Sequence, residues 1–261
     1  MKDTFLIIFV RKYMKNRHER NRLYINKEEQ KLLKKTSILL AGAGIGSVIA
    51  ECLLRLGFET LTIIDGDVVE LSNLNRQNYI ENDISKSKVE AIKERLLSIN
   101  SKAKITIHNC FLTSDNVDQY IEGHNIAINA LDFTSEVPLL FDSLCQNKNI
   151  PVLHPYNLGW GALVLVISEN QGLHILEKPN EQFNEVNAVE YVSGYMRFSE
   201  NPQEWLEEII DKYKKENKNL PPPQLSIASW LAAGVCTNIV FDITTNRPIK
   251  KFPDFYLTTI K

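Results

Sequence analysis

An apolar run that stops at a glycine turn, then a helix, then a second apolar run, constrains this chain more than any other feature. Residues 37–41 (SILLA) are continuous and apolar and end at Gly42, the pattern of a buried strand entering a tight turn. Residues 46–56 (GSVIAECLLRL) carry helical periodicity, and Gly57 stops them, because glycine tolerates the left-handed backbone that ends helices. Residues 60–64 (TLTII) read as a second buried strand, closed by Asp65-Gly66-Asp67. Strand, helix and strand within about thirty residues make a βαβ unit, which requires parallel pairing and a right-handed crossover.

The alternation continues down the chain. Helices are expected at 85–99, 114–122 and 134–147, and strands at 104–109, 125–131, 151–153 and 161–168. The fold class predicted is therefore α/β, a doubly wound, Rossmann-like and mostly parallel sheet flanked by helices. Residues 1–35, with an amphipathic helix at 27–35 (KEEQKLLKK), form an N-terminal helical arm ahead of a domain spanning 36–261. From 177 to 223 the pattern breaks into a polar insertion with one helix at 202–216, ending in Pro221-Pro222-Pro223 before a last core helix at 224–244. That last segment is long and apolar enough to suggest a membrane span. Gln224, Ser226, Ser229, Thr237, Asn238 and Asp242 punctuate it, which favours a buried helix covering the sheet. The apolar run 5–10 is too short to span, so no membrane association is expected.

With 30 basic and 32 acidic residues the net charge is −2, which argues against a strongly basic nucleic-acid binder. Cys52, Cys110, Cys145 and Cys236 form no CxxC pair, so a structural zinc site is not expected. Such sparse usage fits a reducing compartment and a cytoplasmic location.

Gly42, Gly44 and Gly46 sit where strand one meets its helix. Glycines there let a phosphate approach the N–H groups of a helix N-terminus. Asp65 lies at the tip of strand two, beside Asp67, where a carboxylate can accept hydrogen bonds from a ribose diol. The turn is GxGxG, not GxGxxG, a poorer fit to a dinucleotide dehydrogenase. Beyond it come Asn73, Arg76, Gln77, Lys88 and, after the strand at 125–131, Asp132. In a doubly wound sheet these all fall at the carboxyl edge, where ligands bind. Arg76 and Lys88 can neutralise phosphate oxygens, and Asp132 can hold Mg²⁺.

The stretches GAGIGS (42–47), DGDVVELSNLNRQ (65–77), SKSKVEA (85–91) and NALDF (129–133) resemble the ThiF/MoeB/HesA-type adenylyltransferases of the ubiquitin-activating enzyme superfamily. The order and spacing are similar from about residue 17 to 165. The resemblance implies ATP-dependent activation of a carboxylate as an acyl-adenylate, with pyrophosphate released. In it Asp65 binds ribose, Asn73, Arg76, Gln77 and Lys88 surround the phosphates, and Asp132 is the metal-linked acid. Residues 17–21 (RHERN) look like the family's arginine element, which makes Arg20 the candidate that reaches across a homodimer interface to the partner's ATP. The acceptor implied is the C-terminus of a ubiquitin-like or sulfur-carrier protein or a peptide; tRNA is disfavoured by the charge. The insertion is the expected seat of acceptor specificity.

Two departures stand out. The glycine turn is one residue shorter than the family's GxGGxGS, and no cysteine occupies an evident mobile loop. Cys52, Cys145 and Cys236 read as core, with Cys110 at a strand end less settled. His154, Gly159 and Trp160 fall near the expected acceptor channel, although packing is the commoner role for such residues. A nucleotide-binding partner subunit without chemistry and an NAD-dependent oxidoreductase stay open as other classes.

Overall fold

The computed structural model describes residues 16–168, 172–177, 183–216 and 220–261. The apolar run 5–10, most of the first half of the expected arm and parts of the insertion lie outside them. Seven strands form one sheet in the order β3-β2-β1-β4-β5-β6-β7. They are β1 (Ser37–Ala41), β2 (Thr60–Ile64), β3 (Lys104–His108), β4 (Ile126–Asn129), β5 (Val152–Asn157), β6 (Gly161–Ile167) and β7 (Tyr256–Thr259). β1 to β5 run parallel, while β6 and β7 add antiparallel at one edge. β1 lies between β2 and β4, so the winding direction reverses there and leaves a crevice at the carboxyl ends of β1 and β4.

The helices are α1 (Lys27–Lys35), α2 (Ile45–Leu56), α3 (Lys88–Ile99), α4 (Val137–Asn147), α5 (Glu185–Phe198), α6 (Glu204–Lys215) and α7 (Ser226–Thr244). Two apolar cores separate the layers. On one face Leu33 of α1, Val48 and Leu53 of α2, Ile92 of α3 and Ala233, Cys236 and Val240 of α7 pack on Ile38, Leu40 and Ile63. On the other, Phe141 of α4 and Ala188 and Val192 of α5 pack on Leu39, Ala127 and Val152. Strands buried on both sides read as continuous apolar runs, which is why β1, β2 and β4 were legible. α7, the only helix among the described residues long and apolar enough to cross a membrane, is a core helix here.

The insertion departs from expectation. It contains two helices, not one, because α5 precedes the expected helix. Asn184 caps α5 reciprocally with Asn187, and Ala188, Val189 and Val192 form its buried stripe. β-branched residues and Gly194 weaken its intrinsic propensity, so packing stabilises it. β5 also runs four residues further than expected, through His154-Pro155 to Asn157. Pro155 falls where the register with β4 has already ended at Leu153, so no ladder bond to β4 is lost. The 114–122 helix is reduced to a 3₁₀ turn, Val117–Tyr120.

The glycines of the first turn are not equivalent. Gly42 has φ +94°, and a Cβ there would lie 2.3 Å from the Ala130 carbonyl oxygen. A Cβ on Gly46 would meet only Leu40, at 4.0 Å. Gly42→Ala should therefore destabilise the fold by more than about 2 kcal/mol. Gly46→Ala should be neutral or stabilising by up to about 1 kcal/mol in a helix. Urea unfolding of both variants checks the contrast.

Candidate functional site

A cavity of about 910 Å³ opens at the crevice between β1 and β4. Its polar half is built from four separated segments: the β1–α2 turn, the loop after β2, the start of α3 and the exit of β4. Gly42 presses against Ala130 across the switch point, so two turns meet backbone to backbone. α2 begins at Ile45 with Gly44 before it, and the first-turn N–H groups of a helix have no intrahelical partner. The shortened turn thus retains a helix N-terminus facing the cavity.

Asp65 ties this turn to β2. Its Oδ2 accepts from Ala43 N–H at 2.6 Å and its Oδ1 from Asp67 N–H at 2.8 Å. Lys88, at the start of α3, is buried and donates to Asp67 Oδ2 at 2.8 Å. Asn73 accepts from Glu70 N–H at 3.0 Å, closing the 3₁₀ turn Leu71–Asn73. Arg76 donates to Gln224, to Ser72 O at 2.9 Å and to Asn75 Oδ1 at 2.8 Å. Burial lowers its pKa, and the Asp132 carboxylate opposes that shift. Gln77 places its amide beside Gly44, while its Oε1 is buried without a hydrogen-bond partner among the described residues.

A buried ion cluster holds this loop. Glu51 of α2 accepts from Arg55 and Arg95 and, at 2.6 Å, from Asn78. Asn78 N–H in turn donates to Ser47 Oγ at 3.0 Å. Burial works against the Glu51 carboxylate, yet its two guanidinium partners carry the pKa below the ordinary value. The cluster was not anticipated from sequence, because its members are distributed over three elements.

Asp132 follows β4 and lines the same cavity. Burial raises its pKa first, then the negative fields of Glu185, Asp67 and Asp65; Lys88 opposes them. Glu185, at the start of α5, was also missed. It accepts from Phe133 N–H at 3.1 Å and lines the cavity. Beneath them His154 Nε2 lies 2.8 Å from both oxygens of Asp142, and Asn129 donates to Asp142 at 2.9 Å. Phe133 stacks on His154 with centroids 5.9 Å apart.

Of the candidate residues, Gly42, Gly44, Asp65, Asp67, Asn73, Arg76, Gln77, Lys88 and Asp132 line this cavity. Gly46 does not; it faces Leu40. Arg20 is exposed in the turn Glu19–Asn21, where neighbouring Asn21 donates to Leu56 O at the end of α2. That is the amino edge of the sheet, opposite the cavity. Cys110 lines the cavity, whereas burial pushes the Cys52, Cys145 and Cys236 thiols up, away from reactive thiolate. Gly159 and Trp160 lie outside the cavity lining, although Leu158 belongs to it.

A model of the ThiF family matches residues 18–252. The sulfur carrier protein ThiS adenylyltransferase of Bacillus subtilis (strain 168) is 34% identical over 160 residues, covering 59% of this chain and 47% of that one. The tRNA threonylcarbamoyladenosine dehydratase of Escherichia coli (strain K12) is 35% identical over 135 residues, 51% of this chain and 50% of that one. The chain thus aligns over about half the length of these relatives. Among solved structures, E. coli MccB with ATP superposes with a TM-score of 0.68 at 20% identity, over 95% of this chain and 72% of that one. At that identity the likeness is one of fold.

Two outcomes follow from the geometry. His154→Ala leaves Asp142 with only the Asn129 amide in a buried site and should cost about 3 kcal/mol in urea unfolding. Asp132→Asn should behave in the opposite sense. Because the folded pKa of Asp132 is raised, the unfolded chain gives up its proton first, and wild type loses stability as pH rises through that window. The variant should match wild type below the carboxylate range and show the higher Tm at pH 7.

Proposed function

The chain belongs to the ThiF family, and from that membership we propose that it is an ATP-dependent adenylyltransferase that activates a carboxylate. The observation that carries the reading is the convergence of Asp65, Arg76, Lys88 and Asp132 on one cavity from three separated segments, at the helix N-terminus supplied by a fourth. Asp65 faces the ribose, and the α2 N-terminus, Asn73, Arg76, Gln77 and Lys88 surround the phosphates. Burial removes water from the Arg76 guanidinium, and the phosphates of a bound nucleotide would restore a strong anionic partner to it.

Mg²⁺ fits this donor set. Carboxylates outnumber cations around the cavity, and a hard divalent ion would offset the burial and the carboxylate repulsion that together raise the Asp132 pKa. Mg²⁺ takes one or two carboxylates plus phosphate oxygens, so Asp132 would hold it, where it supplies charge neutralisation at the phosphates. An acceptor carboxylate is already ionised at pH 7 and needs no general base. Its oxygen bonds to the α-phosphorus as the bond to the bridging oxygen breaks, and the electron pair leaves with pyrophosphate. Residue work is then positioning and charge stabilisation: Arg76 and Lys88 meet developing charge on the phosphates.

In this reading residues 36–261 are the adenylation domain, 1–35 an arm and 177–223 the specificity insertion. The acceptor is a protein or peptide C-terminus, with net charge −2 weighing against tRNA. The protein acts as a cytoplasmic homodimer in which Arg20, remote from its own cavity, serves the partner's.

ATP–pyrophosphate exchange tests the chemistry. Asp132→Ala should lower exchange by at least about 100-fold while the protein stays folded. MgATP should raise the wild-type Tm by roughly 5–10 °C near saturation, and EDTA should remove most of that shift. Retained exchange in the variant would overturn the Asp132 assignment. Arg20→Ala mixed with Asp132→Ala should recover about a quarter of wild-type exchange, since half the reassorted two-fold dimers carry one complete site. No recovery would remove the trans role.

A further inference from the structure

The cavity has a second half that the nucleotide chemistry does not use. Val186 and Val189 of α5 and Leu206, Ile209, Ile210 and Tyr213 of α6 line it, and they share one continuous space with Gly42, Arg76 and Asp132. At about 910 Å³ the whole cavity lies near the upper end of the roughly 300–1,000 Å³ range for small-molecule sites. Both helices belong to the insertion, and α5 packs Ala188 and Val192, beside the lining Val189, into the core. The apolar wall is therefore held in place by the fold.

We propose that this half is a side-chain pocket, and that the acceptor is a peptide whose terminal residue carries a bulky apolar side chain beside the carboxylate to be activated. The proposal deepens the adenylation reading and rests on it. A glycine terminus presents backbone alone and would leave the half-buried Val186, Ile209, Ile210 and Tyr213 uncovered. A leucine or phenylalanine terminus would bury its side chain against them while its carboxylate points toward the α-phosphate.

A separate observation concerns the carboxylate of such a peptide. Tyr156 on β5 lines the cavity and is 6% exposed, and its hydroxyl has no hydrogen-bond partner among the described residues. A buried hydroxyl without a partner is costly and rare. Burial and the fields of Asp142 and Glu185 hold it protonated, so it is a donor. An acceptor carboxylate oxygen is the group it lacks.

The test uses the full chain with MgATP in the pyrophosphate-exchange assay, with N-acetylated tripeptides Ala-Ala-X where X is Gly, Ala, Leu or Phe. Leu or Phe should exceed Gly in kcat/KM by at least about 100-fold, as expected when several methylenes are discriminated by one pocket. Ile210→Trp, at a partly exposed position, should move the preference toward Ala by about tenfold. Tyr156→Phe should raise KM for the preferred peptide about tenfold while MgATP binding is unchanged. Equal or better exchange with Gly overturns the pocket. So does no exchange with any peptide when MgATP still raises the Tm, which leaves adenylation of another acceptor. No MgATP binding and no exchange overturns the adenylation reading itself.

Discussion

Where β1 turns into α2, Gly42 lies so close to the Ala130 carbonyl that no side chain fits between them. That contact joins two turns that leave the sheet in opposite directions, one from β1 and one from β4. Gly42 N–H also donates to Ile64 O at 2.8 Å, and Ala130 N–H donates to Ala41 O at 2.8 Å. The three strand ends are thereby stitched together just below the cavity. Asp65 extends the stitching by accepting from Ala43. Gly44, Asp65, Asp67 and Asp132 are placed directly by this joint, because each sits within three residues of a strand end.

Two clusters of buried charge stand on either side of that joint, and they have opposite character. Glu51 is matched by two arginines and an asparagine, so its carboxylate is favoured in the fold and locks the 70s loop onto α2 and α3. Asp132 is surrounded mainly by other acids, and its charged form is disfavoured. A matched cluster stabilises geometry, whereas an unmatched one stores an interaction for a ligand. The two meet through residues 76–78, where Asn78 faces Glu51 and Arg76 and Gln77 face the cavity. Structural stability in the loop is in this way converted into a fixed position for the two side chains that line the cavity.

Local pattern carried much of this molecule. β1 and β2 follow from continuous apolar runs that end at glycine or aspartate, and α2 from its periodicity between Gly44 and Gly57. The motifs at 65–77 and 85–91 pointed to groups at one sheet edge because a doubly wound topology puts every such loop there. α5 was missed because its valines and Gly194 suit a helix poorly. Its capping pair, Asn184 and Asn187 at N-cap to N3 spacing, is the one local signal of its start. β7 was missed because four residues at a sheet edge have little periodicity of their own.

The sequence by itself determined the fold class, the glycine turn and most of the residues that line one cavity at the carboxyl edge. These depend on the order of short-range patterns, which the parallel topology converts into a common edge. Only the tertiary structure decided that Gly42 faces Ala130 while Gly46 faces Leu40, that Arg20 lies on the opposite edge, and that Asp132 is crowded by Glu185. It also decided that α5 and α6 close an apolar wall over Tyr156. Those facts depend on contacts between segments tens of residues apart. The distances and shared burial that make them exist only once the layers have packed.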